Sequence, residues 1–259
     1  MEQALLRLEG ITVRFRGVLA VDGIDMAFQT GKIYGLIGTN GGGKSTVINL
    51  ISGSYRPTAG SILFRGAHIE KLSAHQIARL GVARTFQNLR LFGGLTVMEN
   101  VVTARQSRHR VNLPQILCAT PGFRRTEEAL RQEALVCLRQ VKLENCAQQR
   151  ADSLPYGLQR RLEIARCLAM EPALLLLDEP AAGMNPQESL QLAEDIRAIH
   201  RARPGMTILL VEHDMKVVMG LCEYIYTMAS GRCIASGTPE EVQSSEDVIR
   251  AYLGGRRHA

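Results

Sequence analysis

Tryptophan is absent from the 259 residues, and aromatic side chains make up only 5% of them. The arginine clusters at 105–110, 124–125, 160–161 and 197–203 are not interleaved with aromatics, so the stacking platform of a nucleic-acid groove is missing. No nucleic-acid partner is expected, and these clusters read as solvated faces despite a net charge of +6. The six cysteines (Cys118, Cys137, Cys146, Cys167, Cys222, Cys233) form no C-x-x-C pair, which argues against zinc and disulfides and for reduced, mostly buried thiols. No apolar run approaches the roughly 20 residues that cross a bilayer, and no signal-peptide pattern precedes Leu5. Low-complexity tracts are missing too. What is left, 46% hydrophobic and 22% charged, is the composition of one large folded domain or of a core carrying one subdomain.

Residues 38–46 read GTNGGGKST and match G-x-x-x-x-G-K-[ST], with Gly38, Gly43, Lys44 and Ser45 in the fixed places. Between them lie Thr39, Asn40, Gly41 and Gly42, and Thr46 follows. Glycines let successive backbone N–H groups turn inward around an anion, because no Cβ blocks the required angles. The apolar run 33–37 reads as a buried strand entering this loop. Val47, Ile48, Leu50 and Ile51 recur at helical spacing behind it, so the loop feeds a helix N-terminus, where free amides and the dipole favour phosphate. Lys44 adds a cation for the terminal phosphates, and the Ser45 hydroxyl is a hard oxygen suited to Mg²⁺. Nucleoside triphosphate binding follows from these residue types.

Upstream, residues 5–28 alternate in short runs and predict an antiparallel strand pair or meander. Phe15, between two arginines, reads there as a core aromatic on a strand. Downstream come a strand at 61–64, a helix at 74–80 capped by Ser73 and ended by Gly81, and a strand-like run 82–87 that finishes in Gln87, read as a surface amide. From 96 to 170 the pattern is helical, interrupted at 112–126 by Pro114, Pro121 and Gly122. The division expected is 1–87 as the first part of an α/β core, 88–170 as an inserted helical subdomain, 171–237 as the rest of the core, and 238–259 as a C-terminal helix and mobile basic tail.

Residues 174–177 are four leucines, the mark of a central parallel strand buried on both faces, and Asp178-Glu179-Pro180 follows. Two carboxylates at a strand's C-terminal end stand where open α/β sheets bind ligands, and burial demands a cation or a proton role for them. Asp178 suits the Mg²⁺ shell, and Glu179 suits a general base that polarises attacking water. The strand at 207–211 ends in Glu212-His213-Asp214. A lone histidine at a strand end is more often structural, but His213 emerges on the same sheet edge as Asp178, which points to a γ-phosphate contact. Two closing strands (224–228 and 233–235) and a helix at 239–253 complete the chain.

With its phosphate loop, inserted helical segment, leucine strand with Asp-Glu, and strand ending in His, the chain resembles an ATP-binding-cassette (ABC) ATPase over nearly its full length. Residues Leu154, Pro155, Tyr156, Gly157, Leu158 and Gln159 occupy the place of that family's LSGGQ signature. RTFQ (84–87), YG-QRRLEIAR (156–166) and LDEPAAGMNPQE (177–188) resemble the ATPase subunits of bacterial branched-chain amino acid importers, and the Arg-rich stretch 105–125 resembles the longer of their two ATPase subunits. The resemblance implies ATP and Mg²⁺ as cofactors, adenine stacking by Phe15, a metal- and water-sensing amide at Gln87, a γ-phosphate contact from His213, and an interface-crossing loop at 182–185. It also implies a head-to-tail pair with a second ATP-binding subunit, the signature of one covering the ATP of the other. Two polytopic membrane permease subunits are implied as partners at the cytoplasmic face of the inner membrane, with an extracytoplasmic solute-binding protein acting indirectly. Import of branched-chain or related amino acids is the implied function; urea, amides or an exported solute are the alternatives, and a soluble relative acting on nucleic acid is a more distant one. Three positions depart from the family pattern: Pro155 for Ser, Leu158 for Gln, and Asn185 for Asp.

Overall fold

A computed structural model describes residues 4–106 and 121–254 and divides the chain into two units. The first unit is Met1–Arg84, Ala173–Ala182 and His200–Ala259. It opens with β1 (Leu6–Phe15) and β2 (Val18–Phe28), paired antiparallel as their alternation predicts. Arg16 and Gly17 join them with φ of 45° and 92°, the two-residue turn whose twist matches that of the strands. Strands β4 (Ala59–Phe64) and β5 (Ala67–His68) complete a four-stranded sheet in the order β2-β1-β4-β5.

The second sheet of this unit has the order β10-β9-β3-β8-β7-β6. Its strands are β3 (Ile33–Gly38), β6 (Val82–Arg84), β7 (Leu174–Asp178), β8 (Thr207–Val211), β9 (Tyr224–Ala229) and β10 (Arg232–Gly237). All neighbours run parallel except β10 on β9. Every residue of β3, β7 and β8 is buried, as continuous apolar runs in a sheet covered on both faces must be. Helix α1 (Lys44–Ile51) packs Val47, Ile48, Leu50 and Ile51 into one core with Leu36, Leu176 and Leu209 of this sheet and Leu6, Leu8 and Phe28 of the other. That packing fixes the carboxyl ends of β3, β8 and β7 side by side, so the loops after all three strands share one edge.

Helix α2 (Ala74–Leu80) starts and stops where its sequence signals lie: Ser73 and Gln76 form a capping box, and Gly81 ends it at φ 105°. The first unit closes with α7 (Met215–Leu221), α8 (Pro239–Ser244) and α9 (Glu246–Gly254). The single helix expected at 239–253 is thus two, because Ser245 takes an extended conformation between them. The basic tail expected to be mobile lies mostly outside the described residues.

The second unit is Thr85–Pro172 with Gly183–Ile199. Its first segment overlaps the helical insert expected at 88–170, and its second lies within the stretch 171–237 expected as the rest of the core. Helices α3 (Val97–Gln106), α4 (Pro121–Gln140) and α5 (Tyr156–Ala169) pack on one another around Val101, Ala134, Leu138 and Leu162. The interruption expected through 126 ends sooner, for Pro121 opens α4, a position proline tolerates because its missing N–H would have no helical partner anyway. Residues 107–120, with Cys118 and part of the Arg-rich stretch, lie outside the described residues. Most of α6 (Pro186–Ala202) also belongs here.

Several arginines expected on solvated faces are not there. Arg105 is paired with Glu133 at 2.6 Å and Glu171 at 3.0 Å, and Arg161 meets the buried Asp195 at 2.8 Å. Arg160 is buried at 3% exposure. The five described cysteines are free thiols, and burial pushes those of Cys167 and Cys222 up to about 12.

Candidate active site

The phosphate loop joins β3 to α1. Gly38, Gly41 and Gly43 hold φ of 144°, 75° and 104°, angles that side chains other than glycine's rarely adopt. A Cβ on Gly38 would also collide with the Met228 carbonyl oxygen. The loop's outer wall is the β9–β10 turn: Thr39 N–H donates to the Met228 oxygen at 3.2 Å, and Gly231 N–H donates to the Gly42 oxygen at 3.1 Å. Gly43 precedes α1 with no side-chain cap, leaving the first-turn amides directed at the loop. Lys44 is buried, and its Nζ donates to the carbonyls of Gly38 and Thr39, each at 2.9 Å. Burial holds its ammonium below the usual lysine range, with the Glu179 charge opposing that shift. Ser45 and Asn40 are exposed, while Thr39 and Thr46 are half-buried.

Asp178 ends β7 and is buried. Its Oδ2 accepts a hydrogen bond from Arg84 Nη2 at 2.7 Å, and Arg84 Nη1 donates to Asn49 Oδ1 at 2.6 Å and Ser52 Oγ at 3.1 Å. Arg84, which opens the RTFQ stretch, is therefore a counter-charge of the candidate metal carboxylate. Glu179 is half-buried with φ 48°, a left-handed backbone outside glycine that marks a constrained position. Its amide donates to the Val211 oxygen at 2.9 Å. His213, just past β8, is not a packed histidine: 66% of its side chain is exposed, on the sheet edge that also carries Asp178. Neither is Phe15 a core aromatic: it is 41% exposed and touches Tyr55 edge-on, with ring centroids 5.1 Å apart. The first unit thus carries the phosphate loop, Ser45 in the first turn of α1, Asp178 at the end of β7, and Glu179 and His213 just past strand ends, all at one sheet edge.

In the second unit Gln87 is exposed, and its backbone is gripped from α5. Arg160 donates to the carbonyls of Phe86 at 2.8 Å and Gln87 at 2.6 Å, and to the Tyr156 hydroxyl at 2.7 Å. Glu163 accepts from Phe86 N–H at 3.3 Å, and burial raises its carboxyl above the usual range, the Phe86 amide opposing. A buried Arg and Glu three residues apart on one helix is the signal that could have found this brace. Leu154 is buried. Pro155 stands at the N-cap of α5 with no side-chain cap bond, its carbonyl accepting from Leu158 and Gln159 N–H. The amides of Tyr156 and Gly157 precede the first helical hydrogen bond and can receive an anion. Gln159 Nε2 donates to the Leu154 carbonyl at 2.8 Å. Asn185, where Asp was the expected residue, forms a capping box with Glu188 at the start of α6 (2.9 and 3.0 Å), a task Asn and Asp perform equally.

A doubly bounded parallel sheet with a glycine phosphate loop, a buried Asp, an adjacent Glu and a histidine at neighbouring strand ends defines a P-loop nucleotide-hydrolysing protein. The family model for ABC transporters matches residues 21–182, and that for the branched-chain amino acid ATP-binding cassette transporter matches residues 232–258, the last strand and the helices after it. The chain belongs to the ABC transporter ATPase family. It is 47% identical, over 98% of its length and 99% of the relative's, to the high-affinity branched-chain amino acid transport ATP-binding protein LivG of Escherichia coli K12. Identity is 44%, with the same coverage, to the protein BraF of Pseudomonas aeruginosa, which carries the same description. A crystal structure of the ADP conformation of an ATP-binding cassette superposes with a TM-score of 0.83 at 28% identity, covering 97% of this chain and 99% of that one.

Proposed function

We propose that this ATPase energises the import of branched-chain or related amino acids as one ATP-binding subunit of a membrane complex. The observation that carries this reading is the near full-length identity of 47% to a protein described as a branched-chain amino acid transport ATP-binding protein. Phe15 stacks on adenine, the amides of residues 38–46 and Lys44 hold the phosphates, and His213 contacts the γ-phosphate. Ser45 and Asp178 of the first unit would hold Mg²⁺, and Gln87 is proposed for the same ion on the strength of the resemblance alone. Ser45 and Asp178 present hard oxygens of the kind that would hold such a cation. When bound, it neutralises negative charge on the phosphates. Glu179 takes the proton of the attacking water. Leu154–Gln159 covers the nucleotide of a second ATP-binding subunit, and two permease subunits convert closure of the pair into transport at the cytoplasmic face.

No described helix is long and apolar enough to cross a membrane, so the proposed complex supplies the membrane path through other chains. To test the assignment, tagged protein carrying Glu179→Gln is purified from detergent-solubilised native membranes with ATP present. Two polytopic proteins and a second ATPase are expected to come with it; ribosomes, DNA or a soluble monomer would overturn the reading.

Pro155 offers no hydroxyl where the family's signature has Ser, so the site it covers loses one hydrogen bond to a charged group, about 1.5–3 kcal/mol. Restoring that hydroxyl with Pro155→Ser is expected to raise ATP turnover of the assembled complex about tenfold. Unchanged turnover in a steady-state phosphate-release assay would remove the idea of a weakened site.

A further inference from the structure

Glu212 stands between two functional loops and was given no role by its sequence. It follows β8 and is buried at 1% exposure. Its Oε1 accepts from Ala181 N–H at 2.8 Å, and its Oε2 accepts from His213 N–H at 3.2 Å. Ala181 lies two residues past Glu179 and leads into the stretch assigned to the interface crossing. One carboxylate therefore joins the loop after β7 to the loop after β8. A second tie runs beside it, from Glu179 N–H to the Val211 oxygen at 2.9 Å, and Glu179's own carbonyl accepts from Ala182 N–H at 3.1 Å.

The chemistry of this link demands an acceptor on both sides. A carboxylate offers two acceptor oxygens, whereas the amide of Gln would turn an NH₂ donor toward one of the two backbone N–H groups. An apolar side chain would leave both without this partner, although Ala181 is itself buried. The His213 ring has little packing to hold it, being mostly exposed, so its backbone anchor decides where the imidazole stands. Its Nδ1 lies 3.8 Å from Glu212 Oε2, beyond hydrogen-bond range.

We propose that Glu212 is a positioning residue for ATP hydrolysis, tying the backbone after Glu179 to that of His213 so that base and phosphate-contacting histidine keep one spacing. The proposal rests on the roles assigned to Glu179 and His213, and it adds a path by which displacement of the interface-crossing loop reaches the histidine within the same chain. It acts on the chemical step rather than on nucleotide affinity.

The test uses Glu212→Gln, His213→Ala and the double variant in the assembled transporter, with kcat and KM for ATP measured for each. Glu212→Gln is expected to lower kcat about tenfold while KM stays within about twofold. In the His213→Ala background the same change is expected to cost less than about twofold, because its effect passes through the histidine. A full tenfold loss in both backgrounds would reject the coupling while leaving the histidine's role intact. An unimpaired His213→Ala single variant would instead reject that role, and this proposal with it. Glu212→Asp keeps the charge but shortens the reach; if Glu212→Gln lowers thermal stability, Glu212→Asp is expected to recover stability without kcat. Recovery of both in step would mark Glu212 as a structural staple and overturn the proposal.

Discussion

Glu179→Gln is expected to lower ATP turnover by roughly 10²- to 10⁴-fold, the range a positioned general base supplies, with ATP affinity retained. The substitution is nearly isosteric and keeps the backbone bonds that hold this residue at φ 48°, its amide on Val211 and its carbonyl under Ala182. What it removes is the capacity to accept a proton from water. It also removes a negative charge that opposes the depression of the Lys44 ammonium by burial. Lys44 keeps its two backbone carbonyl acceptors, so the phosphate loop retains its shape. Equilibrium titration with a fluorescent ATP analogue and single-turnover hydrolysis separate the two effects. Turnover within about threefold of the parent would reassign the base.

The second large effect is on stability. Arg84→Met should destabilise the protein by about 3–5 kcal/mol, the usual cost of removing one member of a buried ion pair. Side-chain exposures of 10% for Arg84 and 7% for Asp178 put this pair in that class. Arg84 also donates to Asn49 and Ser52, so the change loosens the C-terminal end of the helix that follows the phosphate loop. At roughly 2–4 °C per kcal/mol for a chain of this size, the thermal midpoint should fall by about 10 °C. Adding Asp178→Asn removes the buried charge that Arg84 balances, and the double variant should regain much of that loss. A double variant no more stable than Arg84→Met would show that the guanidinium acts through Asn49 and Ser52 rather than as a counter-charge. Thermal unfolding of the metal-free protein reads this directly and does not depend on catalysis.

Local chemistry was readable in the sequence because each signal needs only neighbours along the chain. Gly38, Gly43, Lys44 and Ser45 announce the phosphate loop by spacing alone. Ser73 and Gly81 bound α2 to the residue. The four leucines of β7 declare burial on both faces and place two carboxylates at its end. The misreadings share one cause. Phe15, read as a single side chain against average burial, belongs to the core, yet it is 41% exposed at the end of β1. Arg160 and Arg161 were taken with the surface charge, yet one grips the Gln87 backbone and the other pairs with Asp195.

The sequence by itself determined that a glycine-rich phosphate loop feeds a helix and that a buried strand ends in Asp178-Glu179. Only the tertiary structure decided who holds those groups in place. Arg84 and Asp178 are 94 positions apart, Arg160 and the Phe86 carbonyl 74, and Glu212 and Ala181 31. Those pairs exist because strand order β3-β8-β7-β6 and helix packing bring remote segments together. A buried charge takes whichever partner that packing delivers, so its identity is written in topology and not in spacing along the chain.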